Sequence, residues 1–196
     1  MIPRHFQIAI SLLLAAILVA GIFIIELRHS EEVKTQHGLA TAPEQPEAQG
    51  REETIRVLVA YDDDLALRWR TTQAFMPDER DLRARAALRA VLAQYQQTPS
   101  PHPLAKGADI KDVYLVDGDT LIVDTTAAFA DGHPSGALLE EMTLTSLIET
   151  LSANVPGISK VKFLVEGRER QTLAGHIDLL SFYPVSIVHE LAREFQ

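Results

Sequence analysis

The chain has 196 residues, 46% of them hydrophobic, which allows one ordinary domain and an additional segment. It has no cysteine, which excludes disulfides, Cys-ligated zinc, thiol catalysis and a lipid anchor on cysteine. With 18 Lys and Arg against 27 Asp and Glu, the net charge of −9 argues against general binding to nucleic acid.

Residues 1–5 read as a short cytoplasmic tail, and residues 6–25 as a transmembrane anchor. This run is uncharged, and thirteen of its twenty residues are Leu, Ile, Val or Phe. At about −0.3 to −0.6 kcal/mol each, these favour insertion by roughly 4–8 kcal/mol. A cleaved signal peptide is the rival reading. Its apolar stretch is usually shorter, and Val19-Ala20-Gly21 runs on into more apolar residues instead of a cleavage site. The flanking Arg4, Arg28 and Lys34 do not decide the orientation. The short tail favours an inner-membrane, single-pass protein whose C-terminal domain lies outside the cytoplasm.

Residues 26–53 read as a linker. Glu31–Glu53, with Thr41–Gly50 lacking any aromatic residue, is expected to be disordered and to span on the order of 25 Å. A folded domain is expected over 54–184. Ile55, Val57, Val59 and Tyr61 alternate as in a strand, and a second strand runs through Leu65, Leu67, Trp69 and Thr71 after an acidic turn at Asp62–Asp64. Asp78 is positioned to cap a helix whose buried stripe is Ala84, Leu88, Val91, Leu92 and Tyr95. Its other face carries Arg80, Arg83, Arg85 and Arg89. A proline-rich loop follows, from Gln96 to Asp109.

Val113–Asp124 reads as a hairpin turning at Asp117-Gly118, the type of pair that accepts positive φ. After a loop, Leu144, Leu147, Ile148, Leu151 and Val155 form one helical stripe, with Ser135 as the expected cap. Val161, Phe163 and Val165 belong to a further strand. Thr172–Asp178 reads as another, broken at Ser181–Pro184. Residues 185–196 form a short helix, Ser186 capping it and Val188, Leu191 and Phe195 on one face. The order is β-β-α-β-β-α-β-β with a last helix, an α+β domain with a mixed or antiparallel sheet and two main helices.

The order and spacing of several pieces resemble the GerMN (sporulation/germination) domain over roughly Ile55–Pro184. They are Pro103-Leu-Ala-Lys-Gly107, Asp117-Gly118 with Leu121-Ile-Val-Asp124, His133-Pro-Ser-Gly136 leading to Glu140, and Thr150-Leu151. The closing pieces are Pro156-Gly157 through Gly167, and Leu173-Ala-Gly175-His-Ile-Asp178-Leu179. Two departures stand out. Thr98-Pro99 replaces the family's frequent Gly-Pro, and the closing Asp-Leu-Ser-x-Pro is stretched by a residue to Asp178–Pro184. The resemblance implies a module similar to ring-building domains of envelope assemblies, without catalytic residues and without a cofactor.

Chemistry-bearing alternatives are thin. His176 and Asp178 would share a strand face and could hold a metal only with a third ligand. Asp62–Asp64 lacks the spacing of a calcium loop. Ser135-Gly136 at a helix start could receive an anion. Glu140 is read as a structural acceptor of backbone N–H groups. The expected function is a non-enzymatic, membrane-tethered interaction module that meets an envelope protein partner and self-associates weakly. The candidate surfaces are the Arg80 and Arg83 face and the apolar stripe Val188, Leu191 and Phe195. The alternative is a domain that binds a small ligand or cell-wall glycan, with weak hydrolytic activity.

Overall fold

A computed structural model describes residues 49–195, so the expected tail, anchor and most of the linker lie outside the described residues. Among the described residues, no helix is long and apolar enough to cross a membrane.

The fold begins with a two-stranded antiparallel ribbon, β1 (Gly50–Tyr61) and β2 (Ala66–Pro77). Strand structure starts four residues before Thr54, so Gly50–Glu53 belongs to the ribbon and not to a linker. Leu65 sits in the turn, with φ 49° and half-exposed, instead of opening the second strand. Helix α1 (Arg80–Tyr95) buries Ala84, Leu88, Val91, Leu92 and Tyr95, the expected stripe, together with Ala87. Its N-cap is Glu79, not Asp78, and no side chain caps it.

The second sheet has the order β3 (Ile110–Val116), β4 (Thr120–Thr125), β5 (Lys160–Val165) and β6 (Tyr183–Pro184). β4 pairs antiparallel with β3 and parallel with β5, so the sheet is mixed. The β3–β4 turn is Asp117–Asp119; Asp117 and Gly118 both have positive φ, 52° and 81°, as their sequence requires. The parallel β4–β5 connection holds a short helix, α2 (Ala127–Asp131), and the central helix α3 (Ala137–Asn154). After β6 come α4 (Val185–Ala192) and a final 3-10 turn, Arg193–Phe195.

Helix α3 organises the domain. Every residue from Met142 to Leu151 is buried, so it is enclosed on all sides and not half-exposed. It lies against β1, α1 and α4. Its apolar stripe, Leu144, Leu147, Ile148 and Leu151, joins one core cluster that also contains Val57, Leu88, Leu121, Val123, Val161 and Phe163. Its polar positions meet partners from the rest of the chain. On the outer edge of β1, the amides of Arg56, Leu58 and Ala60 donate to Asn154 Oδ1 (3.4 Å), Thr150 Oγ1 (3.0 Å) and Tyr95 Oη (3.0 Å). These are the alternate amides that β2 leaves unpaired.

Three expectations fail past β5. Thr172–Asp178 is not a strand. It is an irregular loop closed by a single bridge between Thr172 and Asp178. The short edge strand comes later, at Tyr183–Pro184, where a break was expected. The last helix begins at Val185; Pro184, not Ser186, holds its N-cap position, and no side chain caps it. The result is an α+β domain with two sheets and several helices.

Candidate functional site

Glu140, in the first turn of α3, has no exposed surface. Its Oε2 accepts the amides of Ala174 (3.0 Å), His176 (3.1 Å) and Ile177 (2.9 Å). Its Oε1 lies 2.8 Å from His176 Nδ1 and 3.4 Å from the amide of Gly136. Burial alone would raise its pKa. The donors from Ile177, His176 and Ala174 outweigh burial and bring it down to about 2. The carboxylate therefore does more than fix the preceding loop: it gathers a segment 34 to 37 residues downstream. The same donors explain why Thr172–Asp178 leaves the sheet, since its amides point at a charge and not at a neighbouring strand.

That arrangement removes the premise of a His176–Asp178 metal pair. His176 is held by Glu140, while Asp178 accepts the amide of Leu180 at 2.8 Å and is held below the usual carboxylate range by the Ser181 hydroxyl. Gly175 takes φ 119° inside the loop, a conformation few side chains allow. Ser135 makes no cap; Gly136 stands at the helix start, and Glu140 reaches back to it.

Other positions singled out from the sequence prove to be turns and their ties. Asp124, nearly buried, accepts the amide of Gly167 at 2.7 Å. The carbonyls of Gly118 and Pro156, the latter beside Gly157, are both bound by Arg80, at 2.7 Å each. Arg83 donates to the Asn154 carbonyl at the end of α3 (2.9 Å) and pairs with Glu53 at 2.5 Å. Arg85 meets Asp112, and Arg89 meets Asp109 and the carbonyl of Ile110. The arginine face is thus a set of clamps holding α1 to both sheets and to α3. It is not a free basic surface, because its partners lie up to 76 residues away and are invisible to local pattern.

The C-terminal stripe is likewise committed to the fold. Val188 is buried, Leu191 and Phe195 are half-buried, and α4 packs on α3. His189 adds a contact to the buried Glu149 at 3.1 Å. The exposed apolar groups of this region are different ones: Leu180, Phe182 and Ile187, at 47%, 50% and 60% exposure.

A buried chain of polar groups was not flagged by the sequence. His102 Nδ1 lies 2.5 Å from Asp62 Oδ1, and its Nε2 lies 2.6 Å from Thr143 Oγ1. His133 Nε2 approaches the same hydroxyl at 2.7 Å, and its Nδ1 faces the Pro134 carbonyl at 2.7 Å. The Asp–His–Thr order copies the connectivity of a nucleophilic triad. His102 and Thr143 have no exposed surface, so no substrate reaches the hydroxyl. The one available signal was the density of Thr and Ser in α3, at 143, 145, 146 and 150, interleaved with its apolar stripe.

Beside this chain, the loop Gln96–Asp109 lines an open cleft of about 850 Å³, with Arg89, Gln97, Ser100 and Lys106 on its walls. Among the described residues, no group of three or more His, Asp or Glu is placed to hold a metal ion.

The pattern of one protein family, Germane (sporulation and spore germination), matches residues 48–171. The chain belongs to this family. The Germane match takes in β1 through β5 and ends just before the loop that Glu140 gathers. Similar solved structures include two from bacteria. A candidate lipoprotein of Clostridium perfringens is 18% identical over 69% of this chain and 87% of its own, with TM-score 0.47. The tandem GerMN domains of the Bacillus subtilis sporulation protein GerM are 17% identical over 66% of this chain and 45% of theirs, with TM-score 0.48. The chain thus spans under half the length of that tandem protein. No curated protein matches it.

Proposed function

We propose that this Germane-family chain is a non-enzymatic interaction module, tethered by residues 6–25 to the bacterial inner membrane and working outside the cytoplasm on an envelope protein partner. The observation that carries this reading is the exposed group Leu180, Phe182 and Ile187. Three large apolar side chains, each about half-exposed or more, stand within eight residues on a segment anchored by β6 and α4. Apolar surface held on a rigid frame suits recognition of a protein groove or helix. It replaces the Val188, Leu191 and Phe195 stripe, of which Val188 belongs to the core and Phe195 packs against it. The uncharged run at 6–25 supports the tether. The net charge of −9 opposes close approach of identical copies, so self-association is weak unless the membrane concentrates them.

The test is a crosslinking recovery from membranes, comparing the wild type with a Leu180→Ser, Phe182→Ser, Ile187→Ser variant. Lost partners at unchanged thermal stability are expected. Undiminished recovery of the same partners would remove these residues from the interface. The tether is tested separately: the full chain stays with membranes through alkaline extraction, and a mature protein lacking residues 1–25 would mark the run as a cleaved signal.

A second reading rests on the cleft beside Gln96–Asp109, whose volume and mixed polar lining suit a small ligand or glycan fragment. Specific NMR shifts at Gln97 and Lys106 on adding soluble cell-wall fragments would favour it over the first.

A further inference from the structure

The contacts along Asp62, His102, Thr143 and His133 do not balance with the usual number of protons. An ionised Asp62 and the Pro134 carbonyl can only accept. Each therefore requires an N–H on Nδ1 of the histidine beside it. If both rings are neutral, both Nε2 atoms are then bare acceptors. Both face Thr143 Oγ1, at 2.6 and 2.7 Å, and that hydroxyl has one hydrogen. One short contact is left between two lone pairs. The Leu139 carbonyl, 2.9 Å from the same hydroxyl, competes for that hydrogen and deepens the deficit.

We propose that the chain holds one proton more than an ionised Asp62 and two neutral imidazoles supply, and that this proton locks the ribbon tip and the 96–109 loop onto α3. With it, each contact from Asp62 to Pro134 has a donor, and the Leu139 carbonyl alone goes without the Thr143 hydrogen. The Nδ1–H of His102 donates to Asp62, and its Nε2–H donates to Thr143. The hydroxyl donates to His133 Nε2, whose Nδ1–H donates to Pro134. The network is then neutral overall, which suits its buried histidines and Thr143, while Asp62 at its end is 24% exposed. Burial lowers the His133 pKa, so His133 is the ring that stays neutral.

The surrounding groups do not share the titration. Tyr95, from α1, stacks edge-on against His102 at 4.8 Å, and burial pushes its hydroxyl up to about 12. Ser146 of α3 is bonded to Tyr95. Glu140, at about 2, is ionised throughout. Phe129 of α2 covers His133. Tyr61, next to Asp62, bonds Arg70 on the ribbon.

Substituting Asp62→Asn supplies the missing hydrogen from the side-chain amide and removes the need for the extra proton. Nitrogen NMR of the full chain with labelled histidine reads the protonation of each ring directly. At about pH 7, one doubly protonated ring is expected between His102 and His133 in the wild type, and none in Asp62→Asn. Two neutral rings in the wild type overturn the proposal whether or not the variant folds; a charged ring in a folded variant overturns it too.

Discussion

The hydroxyls of Tyr95 and Ser146 lie 2.5 Å apart where α1 meets α3, and Tyr95 Oη also receives the amide of Ala60 at 3.0 Å. One phenol therefore ties both long helices to the edge of the first strand. Tyr95→Phe keeps the ring but strands a buried amide and a buried hydroxyl. It should cost about 1–3 kcal/mol, measured by denaturant unfolding.

Glu140→Gln is expected to be among the most damaging single changes, about 3–5 kcal/mol, because it leaves buried amides facing an NH₂ group or no partner. His176→Ala removes one ligand and leaves the three amides in place, so it should cost about 1 kcal/mol. Equal effects would show that the histidine, and not the backbone, holds the loop.

The same carboxylate sets an acid limit. Its folded pKa, about 2, lies below the unfolded value near 4.3. Its contribution is thus fully present above about pH 4.5 and is lost as pH falls toward 2. Thermal melts from about pH 6 to pH 3 should fall less steeply for Glu140→Gln than for the wild type.

Leu147 and Leu151 have no exposed surface, whereas Leu138 is only half-buried. Truncating either of the first two to alanine should cost about 2–5 kcal/mol, and Leu138→Ala should cost less. Three equal, small effects would contradict the enclosed position of α3.

The two faces of α4 give a similar contrast. Val188→Ala should cost about 1–3 kcal/mol, and Ile187→Ser should stay within about 0.5 kcal/mol. Removing residues 186–196 should lower the melting temperature, because Val188 and Ala192 are part of the core.

Periodic segments were legible from the sequence. The stripes Ala84–Tyr95 and Leu144–Val155 and the turn at Asp117-Gly118 follow from local spacing, and the structure keeps them. What was hidden depended on distant partners. Thr172–Asp178 alternates like a strand, but a carboxylate 34 residues earlier takes its amides. Arg80 and Arg83 look solvated until the carbonyls of Gly118, Pro156 and Asn154 arrive beside them. His102 carries no motif at all; its role exists only where Asp62 and Thr143 converge on it.

The seam between β1 and α3 has a consequence for how copies of this domain meet. A free strand edge normally offers its amides to any passing chain, the usual start of domain swapping and fibrous aggregation. Here Arg56, Leu58 and Ala60 give theirs to Asn154, Thr150 and Tyr95, so side chains close the edge that backbone would otherwise extend. Along Arg56–Ala60, a neighbouring copy finds no free amide on which to extend the sheet.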